Sequence, residues 1–184
     1  MSEADKRKSH ERIIDAAAHL FRSDGIGATS VSDVMQAAGL TQGGFYRHFS
    51  SKEALVAAAF ERSANELLNK TRGKTERQKR ADFIAKYLSL AHVQNAGQGC
   101  PFAANGAEVT RFGEGVRSEA ADAIGRISSM LGGAEKPGDD DGIATLALLI
   151  GTITLARLAQ SDADATRIID VGRDAVRRLD AATP

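Results

Sequence analysis

Residues 41–49 read Thr-Gln-Gly-Gly-Phe-Tyr-Arg-His-Phe, and this segment decides how the first third of the chain folds. Thr41 is placed to cap a short helix over residues 42–48, and Ser51 to cap a longer helix from residue 52 to about residue 72. Two glycines inside such a short helix each weaken it by about 1 kcal/mol. The glycine pair therefore indicates that another molecule approaches the backbone closely here.

The sequence before this segment predicts two further helices. Apolar residues from Ile13 to Phe21 recur every three or four positions, which is typical of one buried helical face. Ser30 and Asp33 have the spacing of a capping box, and the short helix that follows ends at Gly39. Two short helices joined by a glycine turn form a helix-turn-helix, a motif that reads DNA.

The sequence after it predicts a second, helical domain. Residues 70–80 form a basic polar break, so we expect a DNA-binding domain with its connecting helix over residues 1–72 and a second domain over residues 73–184. Helical periodicity continues in four segments: from about residue 83 to 91, from Pro101, from 116 to 131 and from 143 to about 179, where two helices lie. The fold class is predicted to be all-α, with nine helices.

Composition limits the classes of function. The 184-residue chain has 24 basic and 24 acidic side chains, yet residues 1–96 carry a net charge of +4 and residues 97–184 one of −4, so a polyanion would meet the first half. Its most apolar stretch, residues 143–156, is too short to cross a hydrocarbon core of about 30 Å. With a single cysteine and a polar N-terminus, the sequence predicts a cytoplasmic protein that does not associate with membranes.

Dense spaced matches identify a family for residues 14–55. They are Ala16-Ala17, Leu20-Phe21, Gly25 to Ser30, Val31 to Val34, Ala37 to Leu40, Gly43, Phe45 to Phe49 and Lys52 to Leu55. This stretch resembles the N-terminal domain of the tetracycline-repressor (TetR) family of bacterial regulators. The resemblance implies a helical homodimer that occupies a double-stranded DNA operator and leaves it when a small-molecule inducer binds the C-terminal domain.

The family pattern, carried onto this sequence, implies a set of DNA contacts. It puts Gln42, Gly43, Gly44, Tyr46 and His48 on the recognition helix. Ser30, Ser32 and Lys52 would lie near phosphates, and Thr41 and Arg47 complete the predicted set, with Arg47 facing either DNA or solvent. The chemistry agrees, since Gln pairs bidentately with adenine and the other side chains supply phosphate donors. Phe45 and Phe49 are expected in the core. The basic run from Lys6 to Lys8 is either an arm on the DNA or a solvated tail.

Cys100 precedes Pro101 and would cap the helix that begins there, where the helix dipole favours a thiolate. The segment from Gly99 to Phe102, continuing through Asn105 and Glu108, also resembles one branch of the family, some members of which sense electrophiles or oxidants through a cysteine at this place. The alternative is a packed thiol that acts as a small hydrophobe.

A ligand pocket is predicted among the C-terminal helices. Its candidate residues are Phe83, Tyr87, His92, Cys100, Phe102, Asn105, Glu108, Phe112 and Met130, although helical spacing suits plain core packing equally well. The last two helices, with small residues such as Gly151, suit a bundle shared with a second copy.

No catalytic, cofactor or metal-binding constellation is evident in the sequence, because the four histidines are far apart and no second cysteine is present. We therefore expect a regulator, most simply a repressor, and no enzyme. The alternative is a helical small-molecule-binding or thiol-reactive protein without specific DNA binding.

Overall fold

A computed structural model of the chain describes residues 2–69, 75–132 and 140–182. Within these ranges the protein has nine α-helices, two short 3₁₀ helices and no strand, so the all-α prediction is confirmed. The α-helices are α1 (Glu3–Asp24), α2 (Val31–Ala37), α3 (Lys52–Asn69), α4 (Glu76–Tyr87), α5 (Leu90–Gln94), α6 (Pro101–Val109), α7 (Glu114–Gly132), α8 (Asp140–Arg157) and α9 (Asp162–Ala182). The 3₁₀ helices are Gln42–Arg47 and Ala96–Gln98.

Local capping explains several helix starts. The Ser30 hydroxyl accepts from the Asp33 N–H (3.1 Å) while the Asp33 carboxylate accepts from the Ser30 N–H (2.8 Å), as the predicted capping box requires. Ser51 likewise accepts from the Ala54 N–H (3.1 Å) at the start of α3. These side chains satisfy amides that have no partner within the helix.

Two local expectations are wrong. The helix over the glycine pair is a 3₁₀ helix, and the Thr41 side chain makes no capping hydrogen bond although Thr41 occupies the N-cap position. Two consecutive glycines favour such a short, irregular turn over a regular α-helix. The run from Lys6 to Lys8 lies within α1 and not in a flexible arm or tail, because a capping box between Ser2 and Asp5 starts the helix ahead of it.

Differences also arise in the second half of the chain. Residues 76–80, predicted as part of a polar break, already belong to α4, which Thr75 and Gln78 cap. Helix α4 ends at Tyr87, and Ser89 caps the separate helix α5. The predicted domain boundary between residues 72 and 73 and most of the predicted acidic loop over residues 132–142 lie outside the described residues.

Buried apolar residues form two clusters. The first, between α1, α2, the first 3₁₀ helix and α3, is completed by Val109 of α6 and by Val116, Ala120 and Ala123 of α7. The second joins the end of α3 to α4 and to α7, α8 and α9, and Phe102 of α6 packs against both clusters. Helices α6 and α7 therefore pack the N-terminal helices against the rest of the molecule. In the part of the chain that the structure describes, no helix is long and apolar enough to cross a bilayer.

Candidate DNA interface and ligand cavity

The segment 41–49 presents two different faces. Phe45 and Phe49 are buried, as predicted, and their rings stack with centroids 5.8 Å apart. Because these two rings hold the segment against α1 and α2, Gln42 and Tyr46 point outward, and Tyr46 is 79% exposed. An exposed tyrosine beside an exposed amide forms a polar surface that the fold itself does not use.

Neither glycine of the pair is required by packing within this chain. A Cβ atom at Gly43 would meet nothing within 4 Å, and one at Gly44 would meet only the Met35 methyl carbon at an ordinary 3.6 Å. The space over Gly43 is open to an external molecule. Gly39, in contrast, has a φ of +67°, so the turn before the segment does need glycine.

All ten residues predicted to contact DNA lie between the N-cap of α2 and the first residue of α3. Seven are exposed and three, Gly44, His48 and Lys52, are half-buried. Two of the side chains also have structural partners: Ser30 belongs to its capping box, and the Lys52 ammonium donates to the Ile26 carbonyl (2.7 Å).

His48 lies where the segment meets the N-terminal half of α1. Its ring is 5.9 Å from that of His10, which in turn stacks on Phe49 at 4.6 Å. Burial, followed by the positive charges of His10, Lys6 and Arg47, lowers the pKa of His48. The ring is therefore held in its neutral form more firmly than a free histidine.

A cavity of about 290 Å³ lies among α3, α4, α5 and the second 3₁₀ helix. Three residues predicted for the pocket, Phe83, Tyr87 and His92, line it. The other lining residues were missed by sequence reasoning: Leu67, Lys86, Ser89, Ala91, Asn95, Gln98 and Gly99. The break Gly97-Gln98-Gly99 was visible in the sequence, but nothing in the sequence indicated that this turn closes a cavity.

His92 connects the cavity to that turn. Its Nε2 accepts from the Cys100 backbone N–H (3.0 Å), which leaves Nδ1 to donate to the Tyr87 carbonyl (2.7 Å). A Cβ atom at Gly99 would lie 2.7 Å from the His92 ring and 2.9 Å from the Arg157 guanidinium. A side chain at position 99 would therefore displace the His92 ring or the Arg157 guanidinium from its present position.

Cys100 is the N-cap of α6, as predicted, but its environment opposes ionisation. The side chain is completely buried, and this burial raises the pKa of the thiol despite its contact with the Tyr87 hydroxyl. Desolvation thus outweighs the favourable position at the helix start. The surroundings are those of a packed thiol rather than those of an activated one.

The other predicted pocket residues do not line this cavity. Phe102 lies between the two clusters with its ring edge-on to Phe60, Phe112 packs against the first cluster and Met130 against the second. Asn105 donates to the Phe21 carbonyl (2.6 Å) near the end of α1. Glu108 accepts from the backbone N–H groups of Ile26 (3.3 Å) and Gly27 (2.7 Å).

These contacts form part of a larger connection between α1 and the second half of the chain. The His19 ring bonds to the Gly97 carbonyl (3.2 Å), and Arg22 donates to the Gly99 carbonyl (3.3 Å) while it pairs with Glu66 (3.0 Å). The turn 97–99 therefore faces the cavity on one side and α1 on the other. No metal-ligating group of three His, Cys, Asp or Glu side chains is found in residues 2–69, 75–132 and 140–182.

Helices α8 and α9 leave an apolar groove of about 650 Å³ between them. Leu155 and Val171 line this groove and are 58% and 59% exposed. Gly151 and Ala175 also line it. Exposed leucine and valine side chains that cluster in this way are typical of an interface.

The architecture and the surface at residues 41–49 define an all-helical protein with an N-terminal helix-turn-helix. Residues 13–59 match the family model described as bacterial regulatory proteins, tetR family. Over this N-terminal segment the chain is similar to the tetR family of bacterial regulatory proteins.

Individual relatives agree with the family. The HTH-type transcriptional regulator YvdT of Bacillus subtilis is 37% identical over 65 residues, which are 35% of this chain and 34% of YvdT. The HTH-type transcriptional repressor KstR2 of Rhodococcus jostii is 40% identical over 60 residues, or 33% of this chain and 29% of KstR2. The chain thus matches only about a third of the length of these curated relatives.

The fold extends further than the sequence similarity. The crystal structure of a TetR transcriptional regulator from Chloroflexus aurantiacus superposes with a TM-score of 0.73 over 95% of this chain and 96% of that chain, at 23% identity. The C-terminal helices therefore share the arrangement of that protein, while their sequences have diverged.

Proposed function

We propose that this protein is a homodimeric, ligand-responsive transcriptional regulator that binds a specific DNA operator, and that it acts as a repressor. The observation that carries the proposal is the outward face of residues 41–49, where Gln42, Gly43 and Tyr46 are exposed within the segment that matches the family. The relative KstR2, named a repressor, supports the sign of regulation.

The chemistry of this face suits the major groove of DNA. Gln42 supplies the donor and acceptor that pair bidentately with adenine. Tyr46, Arg47 and Ser32 are exposed donors for phosphate oxygens, which fix the register of a protein on the duplex. The open space over Gly43 allows the backbone to approach the edges of the bases.

A second copy of the chain is the occupant that we propose for the groove between α8 and α9. Two copies related by a two-fold axis would place two recognition segments on the two half-sites of a pseudo-palindromic operator. A charge at Gly151 or Ala175 should disrupt the dimer, because both residues line the groove. Light scattering on Gly151→Asp would test this, and an intact dimer would contradict the interface.

The cavity beside His92 is the site that we propose for the inducer. Its lining combines the rings of Phe83 and Tyr87 with the polar groups of Ser89, His92 and Asn95, which suits a small, largely apolar molecule with a few hydrogen-bonding groups. A ligand here would displace the turn 97–99, and His19 and Arg22 would pass this movement to α1. We propose a division of labour in which residues 1–72 read DNA in the cytoplasm and residues 73–184 sense the ligand and dimerise.

A mobility-shift assay with the DNA upstream of the protein's own gene tests the proposal. In moderate salt with excess nonspecific competitor, the protein should retard this DNA and not a shuffled duplex of the same composition. Equal retardation of both duplexes, or none of either, would favour a small-molecule-binding protein that does not read DNA.

A further inference from the structure

A positively charged surface lies beside residues 41–49. Here the first turns of α1 and the end of the first 3₁₀ helix enclose a shallow groove of about 310 Å³. Lys6, Arg7 and His10 line it from α1, and Arg47 and His48 line it from the 3₁₀ side. These α1 residues share one helical face because they are separated by three and four positions.

The charges in this groove are poorly neutralised. Two carboxylates, Glu3 and Glu11, also line it, but Glu11 is paired with Arg62. Within residues 2–69, 75–132 and 140–182, none of Lys6, Arg7 and Arg47 forms an ion pair with a carboxylate. The groove thus holds three permanent positive charges and two histidines close together.

His48 gives an independent indication of a missing partner. Its Nδ1 is buried and has no hydrogen-bond partner among the described residues. Burial and the neighbouring positive charges also lower the pKa of this ring. An anion in the groove would relieve the repulsion among the side chains that surround it.

We propose that this basic groove holds one backbone phosphate of the DNA duplex in each half-site. The inference rests on the proposed DNA binding and adds a contact outside the helix-turn-helix itself. Arg47 ends the same 3₁₀ helix that presents Gln42, so a phosphate in the groove would lie next to the bases that Gln42 reads. Lys6 and Arg7 would position the duplex without selecting its sequence.

The chain supplies a matched control for this site. Lys8 carries the same charge in the same helical turn as Lys6 and Arg7, yet it is not among the residues that line the groove. All three side chains are exposed, so their removal should not alter the fold. Thermal unfolding of each variant checks this, and the Lys6→Gln, Arg7→Gln pair replaces the alanine pair if its melting temperature falls.

The experiment uses a duplex that the full-length wild-type protein selects from a random-sequence pool. Its affinity is measured by fluorescence anisotropy between about 50 and 200 mM salt. The Lys6→Ala, Arg7→Ala double variant should bind selected and shuffled duplexes more weakly by the same factor. The slope of log K against log salt should become shallower by about 0.9 for each phosphate that the variant no longer binds, while Lys8→Ala keeps the wild-type values.

Replacing single phosphates by uncharged methylphosphonates locates the site on the duplex. One position per half-site should weaken wild-type binding and have no further effect on the double variant. If the double variant keeps the wild-type salt slope, or if every methylphosphonate weakens both proteins alike, the phosphate site is wrong. If the wild type selects no duplex at all, the proposed DNA-binding function fails instead.

Discussion

Residues 41–49 and the cavity beside His92 are built on opposite principles. At residues 41–49 the side chains that hold the fold, Phe45 and Phe49, are distinct from those that face outward, Gln42 and Tyr46. Around the cavity one side chain has both roles: His92 lines the cavity, and it also holds the fold through hydrogen bonds with the backbone of Tyr87 and Cys100. The outward surface of residues 41–49 can therefore change without loss of stability, whereas a change in the cavity alters packing as well.

The largest effect should come from the inner face of the recognition segment. Phe45 is 1% exposed, so Phe45→Ala should lower the free energy of unfolding by about 3 to 5 kcal/mol, as removal of a buried phenylalanine typically does. Tyr46→Ala, one residue away and exposed, should change it by no more than about 0.5 kcal/mol. Denaturant unfolding measures both, and similar losses would contradict the division between the two faces.

Replacing Glu108 distinguishes a structural role of this residue from a ligand-binding role. Its carboxylate accepts from two backbone N–H groups of the turn between α1 and α2, so Glu108→Ala should cost about 1.5 to 3 kcal/mol of unfolding free energy. Asp122→Ala, an exposed carboxylate on α7, is the control and should have little effect. An unchanged stability for Glu108→Ala would favour the sequence-based prediction that this residue contacts a ligand.

The outward face should affect specificity more than stability. Gln42→Ala should relax base preference at one position per half-site, by about 1 to 3 kcal/mol for the preferred base. Lys52→Ala should weaken binding to all sequences alike. Affinities for the selected duplex and its single-base variants test this, and equal losses on specific and shuffled duplexes for both proteins would refute the assignment.

The smallest effect should come from the buried thiol. Burial raises the pKa of Cys100, so the unfolded chain loses this proton at a lower pH than the folded protein. Stability should therefore fall as the pH rises above about 9, and part of that decline should be absent in Cys100→Ser. The buried Tyr87, whose pKa is also raised, contributes in the same direction.

Alkylation gives a direct check on the same thiol. Iodoacetamide should modify Cys100 slowly in the native protein and rapidly in denaturant, because the thiol is fully buried and its ionisation is disfavoured. Rapid native modification, together with loss of aldehyde- or quinone-induced release from DNA in Cys100→Ser, would restore the sensing hypothesis.

Some features of these two regions could be predicted from the sequence and others could not. The Ser30–Asp33 box and the turn at Gly39 depend on neighbours within a few residues, so local patterns identify them. Asn105 and Glu108 bond to groups more than 80 positions earlier in the chain. Their spacing along α6 fits a pocket and an interhelix contact equally well, and only the packing of α6 against α1 distinguishes the two.

The open space over Gly43 offers the most direct test of whether residues 41–49 contact DNA. Because a Cβ atom there meets nothing within 4 Å, Gly43→Leu should keep the wild-type fold and melting temperature. If the outward face of residues 41–49 lies against DNA, the new side chain should lower affinity for the selected duplex by about 100-fold, or close to 3 kcal/mol. A folded Gly43→Leu protein that binds this duplex with wild-type affinity would contradict the account.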